Sequence, residues 1–446
     1  MNRVAAINSF LAKSKGYRSW AEYQIAVQAA PYAERFNSVE GRVAFLEDAL
    51  KQTDSLLENL LQQMIKNQPG LKREALREAY MSLLSPDADG FGKYYPIEKV
   101  DALWAKTVID QGFSQADVDH INRDVFPREN KYTHAYMNSL NNRTPKSVRL
   151  NASSLNMAMP ASDDLSGWYP ANIFIIQSFF TDSMDAPRVA FHEGGHALHF
   201  TREENPFGFP WAYGYVEIHS TTQEQFLMDK DFVRVTAQTR EGAKPNEAEI
   251  EDYMRNVKIQ EFLTFRIILA RALFELKLWD FDYETSTDNW TDRAVKLWGE
   301  IISRGTGLKG TEAHGVDQTG RGPFNGPHFR SGEIQYIGYS QATVSAYLSA
   351  GELRRRLKLK TGRESFLNQP SMAEELIEGY YRSGYADKFP LSVEKFTGQP
   401  YSVTSYVQFL ADGILEHSEA ANCQKVLPFA ARSLTAPPRG APEAQP

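Results

Sequence analysis

The chain has 446 residues but a single cysteine, no long apolar run and no excess of basic residues. The lone Cys423 excludes an intrachain disulfide, which is typical of a reducing compartment and predicts a cytoplasmic protein. The apolar runs are too short to span a bilayer, and residues 268–273, among the longest, include Arg271. A net charge of −7 leaves no basic surface for nucleic acid. We therefore expect neither membrane insertion nor nucleic-acid binding.

The composition is that of an ordinary globular protein, with 42% hydrophobic and 24% charged residues. No linker-like stretch divides the chain, so we predict one domain over residues 1–432. Residues 433–446 are rich in proline and alanine and are predicted to form a disordered tail. The N-terminal residues lack the pattern of a signal peptide and resemble the middle of a folded protein, which leaves open an upstream segment.

Apolar residues recur at helical spacing in two long segments. The first lies within the N-terminal 125 residues, and the second follows Pro245 and runs toward Leu278. Shorter strand-like pieces occupy residues 146–150 and 173–180. This pattern predicts a mainly α fold with a small β-sheet. The residues that mark the two helical stripes are Val43, Leu46, Leu50, Leu57, Leu60 and Met64, and then Ile250, Met254, Val257, Phe262 and Phe265.

Residues 191–200 read Phe-His-Glu-Gly-Gly-His-Ala-Leu-His-Phe and carry the clearest chemical signal in the chain. His192 and His196 lie four residues apart, so on a helix both imidazoles project from one face and can share a metal ion. Glu193 can reach a water in the open coordination position of that metal and accept its proton. This HExxH spacing predicts a zinc hydrolase in which Glu193 is the general base.

Gly194 and Gly195 stand in the middle of the predicted metal-binding helix, although each costs about 1 kcal/mol there relative to alanine. A residue without a side chain lets another group approach the backbone closely. We interpret the pair as backbone that the substrate approaches.

A zinc site needs a third protein ligand, and the sequence narrows the choice. In the HExxHxxGxxH class that ligand would stand at position 202, which is Arg202, and the glycine position holds His199. Glu217 lies 21 residues past His196, which allows a loop and a return helix, and we predict it as the ligand. Glu224 shares a helical face with Glu217 and is a candidate for orienting an imidazole.

Other polar residues near the motif have open or structural roles. His199 lies on the ligand face, where it is either an outer-shell or alternate ligand or a hydrogen-bonded core histidine. His219 neighbours Glu217 but points elsewhere on its helix, so we expect a structural role. Glu203 and Glu204 follow the motif too closely to fold back to it easily.

The segment 305–332 contains eight glycines and precedes an aromatic cluster. A loop of this length is typically functional, and we predict a mobile loop that lines the substrate path. The cluster supplies His328, Tyr336 and Tyr339, which can donate hydrogen bonds to the oxyanion of amide hydrolysis. From spacing alone, however, such a cluster is more typical of an aromatic core than of catalytic apparatus.

Several stretches resemble the thimet oligopeptidase and oligopeptidase F family of zinc peptidases. They are the motif at residues 192–199, the run Tyr-Val-Glu-Ile-His-Ser-Thr-Thr-Gln-Glu at residues 215–224, and residues 15–23 and 128–139. The resemblance covers most of residues 14–350. Gly194 stands where the family has an aromatic residue, and His219 stands where it has proline. Residues 336–339 also look like an element of angiotensin-converting enzyme, a related helical peptidase.

This resemblance implies an almost entirely helical fold, with a deep channel that admits short unstructured peptides and excludes folded proteins. It also implies one Zn²⁺ per chain. The site residues it implies are His192, His196 and Glu217 as zinc ligands, Glu193 as general base, and His328 with Tyr336 or Tyr339 as donors to the oxyanion and substrate, with Tyr339 the first choice.

We therefore predict a zinc metalloendopeptidase that cuts short oligopeptides, acting as a monomer or small homo-oligomer. The enzymatic alternative is a peptidyl-dipeptidase or carboxypeptidase with the same site, which a cation or polar pocket for a free C-terminus would distinguish. Arg321 and Arg330, on either side of His328, are candidates for that anchor. A non-catalytic peptide-binding protein is a third hypothesis, disfavoured because a base, three ligands and donors are all present.

Overall fold

The computed structural model of the chain describes residues 1–28, 32–67, 73–84, 90–125, 136–141, 144–145, 168–169, 172–176, 182–203, 213–286, 290–308, 334–382 and 387–415. Most of these residues are helical, and the strands are short. The predicted mainly α fold is therefore confirmed. The predicted tail at 433–446 lies outside the described residues.

The helices are numbered in chain order. The N-terminal helices are α1 (Asn2–Ser14), α2 (Trp20–Val27), α3 (Val39–Asn67), α4 (Arg73–Leu83), α5 (Ile97–Asp110) and α6 (Gln115–Asp119). The central helices are α7 (Asp185–Arg202), α8 (Tyr213–Glu224), α9 (Lys230–Thr236), α10 (Glu247–Trp279) and α11 (Trp290–Thr306). The C-terminal helices are α12 (Tyr336–Thr361), α13 (Met372–Leu376), α14 (Leu391–Thr397) and α15 (Val403–Leu415). A short π-helical turn, Ile377–Tyr381, follows α13.

Both predicted apolar stripes form long helices, α3 and α10. The stripe residues of α3 face the core, and those from Leu46 onward are almost fully buried. Helix α10 begins with a reciprocal cap, in which the Asn246 side chain accepts from the Glu249 amide and the Glu249 carboxylate accepts from the Asn246 amide, each at 3.0 Å. Such a cap satisfies amides that the first helical turn leaves without partners. The predictions for both helices are confirmed.

A small sheet lies against helix α7. Its order is β1–β5–β2, from β1 (Ile121–Asp124), β5 (Asn172–Ile176) and β2 (Tyr136–Asn141). Strands β1 and β5 are parallel, and β2 is antiparallel to β5. Strands β3 (Thr144–Pro145) and β4 (Trp168–Tyr169) form a separate antiparallel pair. The apolar run predicted at 173–180 thus forms a strand over its first part, whereas the predicted strand at 146–150 lies outside the described residues.

The helices around the motif pack in successive layers. Helix α7 lies between α8 on one side and the sheet with α5 on another; α8 packs on α12, and α12 packs on α10. Helix α10 in turn contacts α3 and α11. The larger hydrophobic cluster of the described residues extends from Ala5 to Ile414 through these layers. Among the described residues, no helix has the length and apolar character needed to cross a bilayer.

The glycine-rich segment begins differently from the prediction. Gly305 and Thr306 belong to the last turn of α11, so they are helical, and the loop prediction is wrong for them. A Cβ at Gly305 would lie 2.5 Å from the Cβ of Ala270, which explains a glycine where α11 presses on α10. Residues 309–333, including His328, Arg321 and Arg330, lie outside the described part of the chain.

Candidate metal centre

Helix α7 presents two histidines of the motif to helix α8. Pro187 lies in its first turn, where a missing amide hydrogen breaks no helical bond. One turn apart on this helix, the rings of His192 and His196 lie 4.9 Å apart between centroids and nearly perpendicular. Helix α8 packs along α7 and brings in Glu217. The local spacing thus orients the two imidazoles, and the packing of two helices supplies the carboxylate.

The distances within this trio suit a single metal ion. Glu217 Oε2 lies 3.2 Å from His192 Nε2 and 3.5 Å from His196 Nε2. In a tetrahedral zinc site with bonds of about 2.1 Å, ligand atoms lie about 3.4 Å from one another. All three donor atoms lie within 4.8 Å of one another, and two nitrogens with one carboxylate oxygen are a donor set that zinc accepts. The residues therefore fit the ion.

Burial and charge act against each other on these groups. Burial alone would raise the pKa of the Glu217 carboxyl, but His196 and His192 outweigh it and hold that pKa well below its usual range. Burial alone would lower the pKa of His192, but Glu217 and then Glu224 outweigh it and raise that pKa well above its usual value. Glu217 is therefore ionised and favours a proton on His192, so a metal cation bound by these groups has to displace that proton.

Glu224 holds the outer nitrogen of one histidine. Its Oε1 lies 2.6 Å from His192 Nδ1, so a hydrogen on Nδ1 leaves Nε2 free to face Glu217. A carboxylate in this place fixes the imidazole tautomer and increases its strength as a ligand. Glu217 is supported in the same way, since Ser220 Oγ donates to its Oε2 at 3.2 Å. The structure thus places Glu224 where the orienting role requires it.

Arg188 and Glu261 extend this charge cluster, and neither was predicted from the sequence. Arg188 lies one turn before His192 on α7 and donates to Asp185 at 3.0 Å. Burial raises the pKa of Glu261, on α10, to about 7; the charge of Glu224 adds to this and that of Arg188 opposes it. The i, i+4 spacing from Arg188 to His192 was visible in the sequence, whereas nothing there pointed to Glu261.

Glu193 is buried on α7, with 8% of its surface exposed. Because it directly follows His192, its side chain starts about 100° around the helix from that histidine. This keeps it beside the face that carries the histidines and outside the trio that converges on one point. Its position is compatible with the role of a base.

The interpretation of Gly194 and Gly195 as backbone approached by substrate is wrong, because protein atoms fill the space of both missing side chains. A Cβ on Gly194 would lie 2.0 Å from the indole Nε1 of Trp104, which comes from α5. A Cβ on Gly195 would lie 2.6 Å from the carbonyl oxygen of His219 on α8. The glycines therefore let α5 and α8 approach the metal-binding helix. The indole of Trp104 occupies the space that the missing side chain at Gly194 leaves.

His199 and His219 form a buried pair outside the trio. Their ring centroids lie 3.9 Å apart, and the ring of Tyr381 lies 5.0 Å from that of His219. Burial, and then the nearby His196, lower the pKa of His199 to about 3, so its ring stays neutral. Of the two roles left open for His199, the structure favours that of a core histidine, and His219 is also a core residue as predicted.

Glu203 is the C-cap residue that follows α7, and it does not join the trio. It is buried, and burial raises its pKa to about 7. This position agrees with the expectation that Glu203 follows the motif too closely to reach the metal. Glu204 lies outside the described residues.

Tyr336 and Tyr339 lie in the first turn of α12, the helix that packs on α8. Both are partly exposed, and their ring centroids are 5.9 Å apart. The guanidinium of Arg271 lies 5.7 Å from the centre of the Tyr336 ring. Both tyrosines thus lie on α12, which packs against the helix that carries Glu217. Their role as hydrogen-bond donors stays a prediction.

The chain is similar to known proteins in sequence and in fold. A sequence profile of Peptidase family M3 matches residues 1–318 of the chain. A search of curated proteins finds no match.

Several solved structures share the fold at low sequence identity. An M32 carboxypeptidase from Deinococcus radiodurans R1 is 15% identical with a TM-score of 0.59, over 93% of this chain and 73% of that one. A carboxypeptidase from Pyrococcus furiosus is 13% identical with a TM-score of 0.53, over 93% and 78%. A protein described as oligoendopeptidase F from Bacillus anthracis strain Ames is 13% identical with a TM-score of 0.55, over 93% and 62%. These likenesses show a common fold.

Proposed function

The chain belongs to peptidase family M3, a family of metallopeptidases, and from this premise we propose that it is a zinc endopeptidase that hydrolyses internal bonds of short, unstructured peptides. The observation that carries the proposal is the convergence of His192, His196 and Glu217 beside the buried Glu193. Three protein ligands and an adjacent carboxylate are the set that a hydrolytic zinc site requires.

Each side chain has a distinct task in this proposal. His192, His196 and Glu217 hold the ion, and Glu224 orients His192. The bound zinc would polarise the scissile carbonyl and make water more acidic. Glu193 accepts a proton from the attacking water and returns it to the leaving amine. Tyr339, with Tyr336 and His328, donates hydrogen bonds to the oxyanion.

The preference for internal bonds rests on the motif resemblance to the oligopeptidases. The likeness in fold to carboxypeptidases supports removal of C-terminal residues as the second candidate, and such an enzyme needs a cation for the free carboxylate. Arg188 is a poor candidate, since Asp185, Glu224 and Glu261 already surround it with negative charge.

Because a single cysteine is typical of a reducing compartment, we place the enzyme in the cytoplasm.

The test is mass spectrometry of the products formed from a mixture of unstructured peptides of graded length, with and without a zinc chelator. Internal cuts that disappear with chelator and return with added zinc support the endopeptidase. Release of only single C-terminal residues or dipeptides supports the second candidate. A protein that is shown to contain zinc and cleaves nothing contradicts both, and points to peptide binding without hydrolysis.

A further inference from the structure

Helix α12, which carries the two tyrosines, begins without a side-chain cap of its own. Its N-cap residue, Gln335, forms no capping side-chain hydrogen bond. Instead, one oxygen of Glu275, on α10, accepts hydrogen bonds from the backbone amides of Gln335 at 2.8 Å and Tyr336 at 2.9 Å. A residue 60 positions away in the chain therefore satisfies amides that a local Ser, Thr, Asp or Asn normally satisfies.

The carboxylate that makes this cap is fully buried, which is costly unless its charge is compensated. Two amide donors and the positive end of the α12 dipole favour the negative charge. A cation lies in the same interior, since Arg42 on α3 is also fully buried. Burial lowers the pKa of Arg42, while Tyr32 and Glu275 act to raise it, so the two buried charges stabilise each other.

The same face of α10 also holds the first tyrosine ring. Arg271 precedes Glu275 by one helical turn, and its guanidinium lies 5.7 Å from the centre of the Tyr336 ring. Tyr336 in turn contacts Tyr339, with ring centroids 5.9 Å apart. Helix α10 therefore contacts both the backbone at the start of α12 and the ring of its first residue.

We propose that Glu275 is a positioning residue for hydrolysis, which fixes the first turn of α12 and thereby aims Tyr336 and Tyr339 at the reacting carbonyl. This inference rests on the proposed function of the tyrosines. A donor that stabilises an oxyanion is effective only when it is held in place before the reaction. Because Glu275 bonds to the amides of Gln335 and Tyr336 and is not part of the His192, His196 and Glu217 trio, its effect is expected on turnover and not on zinc affinity.

The first experiment compares kcat and KM for Glu275→Gln and Glu275→Leu with the wild type. Glutamine retains an acceptor oxygen but loses the charge, whereas leucine retains the volume and loses both. Removal of one oxyanion donor typically costs ~10²–10³-fold in kcat, so we expect about 10-fold for Glu275→Gln and about 100-fold for Glu275→Leu, with KM and zinc content unchanged. Glu251→Gln, an exposed acid on the same helix, is the matched control.

A double-mutant cycle with Tyr339→Phe tests whether Glu275 acts through the tyrosine. If it does, Glu275→Gln lowers kcat much less in the Tyr339→Phe background than in the wild type. An equal loss of kcat in both backgrounds would overturn the proposal, as would a loss explained entirely by weaker zinc binding.

Hydrogen exchange of the peptide that covers residues 334–342 provides a measurement that is independent of activity. We expect slow exchange of the Gln335 and Tyr336 amides in the wild-type protein and at least about 10-fold faster exchange in Glu275→Gln. Unprotected amides in the wild type would overturn the proposal even if Glu275→Leu fails to fold. A wild-type protein that cleaves no peptide contradicts the proposed function, whereas wild-type hydrolysis with an unchanged kcat in Glu275→Gln contradicts only the positioning role.

Discussion

Two faces of helix α7 serve different purposes within four residues. One face carries His192 and His196, whose nitrogens meet Glu217 and Glu224 through polar contacts of 2.6 to 3.5 Å. The other face carries Gly194, against which the indole of Trp104 packs. The metal face depends on which chemical groups are present, and the glycine face depends on the absence of a side chain. Substitutions on the metal face should therefore affect hydrolysis, and substitutions on the glycine face should affect the stability of the fold.

The largest expected effect comes from Glu193→Gln on the metal face. Because glutamine cannot accept the proton from water, we expect kcat/KM to fall by ~10²–10⁴-fold, toward the metal-free background, while zinc stays bound. The measurement pairs peptide hydrolysis with zinc content. Glu203→Gln, a buried acid at the end of the same helix, is the control and should retain activity. Hydrolysis by Glu193→Gln at the wild-type rate would remove this residue as the base.

A smaller effect is expected from Glu224→Gln, which keeps a polar side chain beside His192 but removes the charge. Loss of a carboxylate that orients a metal-binding histidine typically weakens metal affinity by about 10–100-fold. Zinc affinity is measured by competition with a chelator of known Kd. Glu261→Gln serves as the matched control, since Glu261 interacts with the charges of Glu224 and Arg188 but is not part of the His192, His196 and Glu217 trio. An unchanged Kd in Glu224→Gln, or an equal loss in both variants, would contradict the orienting role.

The smallest effect on chemistry is expected from Gly194→Ala. Its new Cβ would clash with the Trp104 indole. We therefore expect the free energy of unfolding, measured in urea, to be about 1–3 kcal/mol lower than that of the wild type. The double variant Gly194→Ala with Trp104→Phe should recover part of the lost stability. In the control Gly351→Ala, on the exposed side of α12, no atom lies within 4 Å of the new Cβ, so helix propensity should raise stability by up to about 1 kcal/mol.

If Gly194→Ala left stability unchanged but abolished hydrolysis, the two faces of α7 would not be separate. The glycine would then act on substrate, as its position in the motif first suggested. A loss of stability with most of the kcat retained supports the division between a chemical face and a packing face.

Much of the metal site was predictable from the sequence, because its parts lie close together along the chain. The i, i+4 spacing of His192 and His196 places both imidazoles on one face of any α-helix, and Glu193 follows from the same motif. Glu217 required only a short connection and a return helix. The long helices α3 and α10 were predictable for a similar reason, since helical periodicity is a property of each segment by itself.

Only the tertiary structure decided which distant groups meet these elements. Trp104 comes from 90 positions upstream to fill the space beside Gly194, and Glu275 comes from another helix to cap α12. No local pattern reveals such partners. A glycine, or a helix start without a local capping residue, can indicate that another group packs there, but it does not identify that group. The packing of helices depends on the free energy of the whole buried core, to which segments far apart in the chain contribute together. The local sequence therefore determines which residues share a helical face, whereas the tertiary structure determines which faces pack against each other.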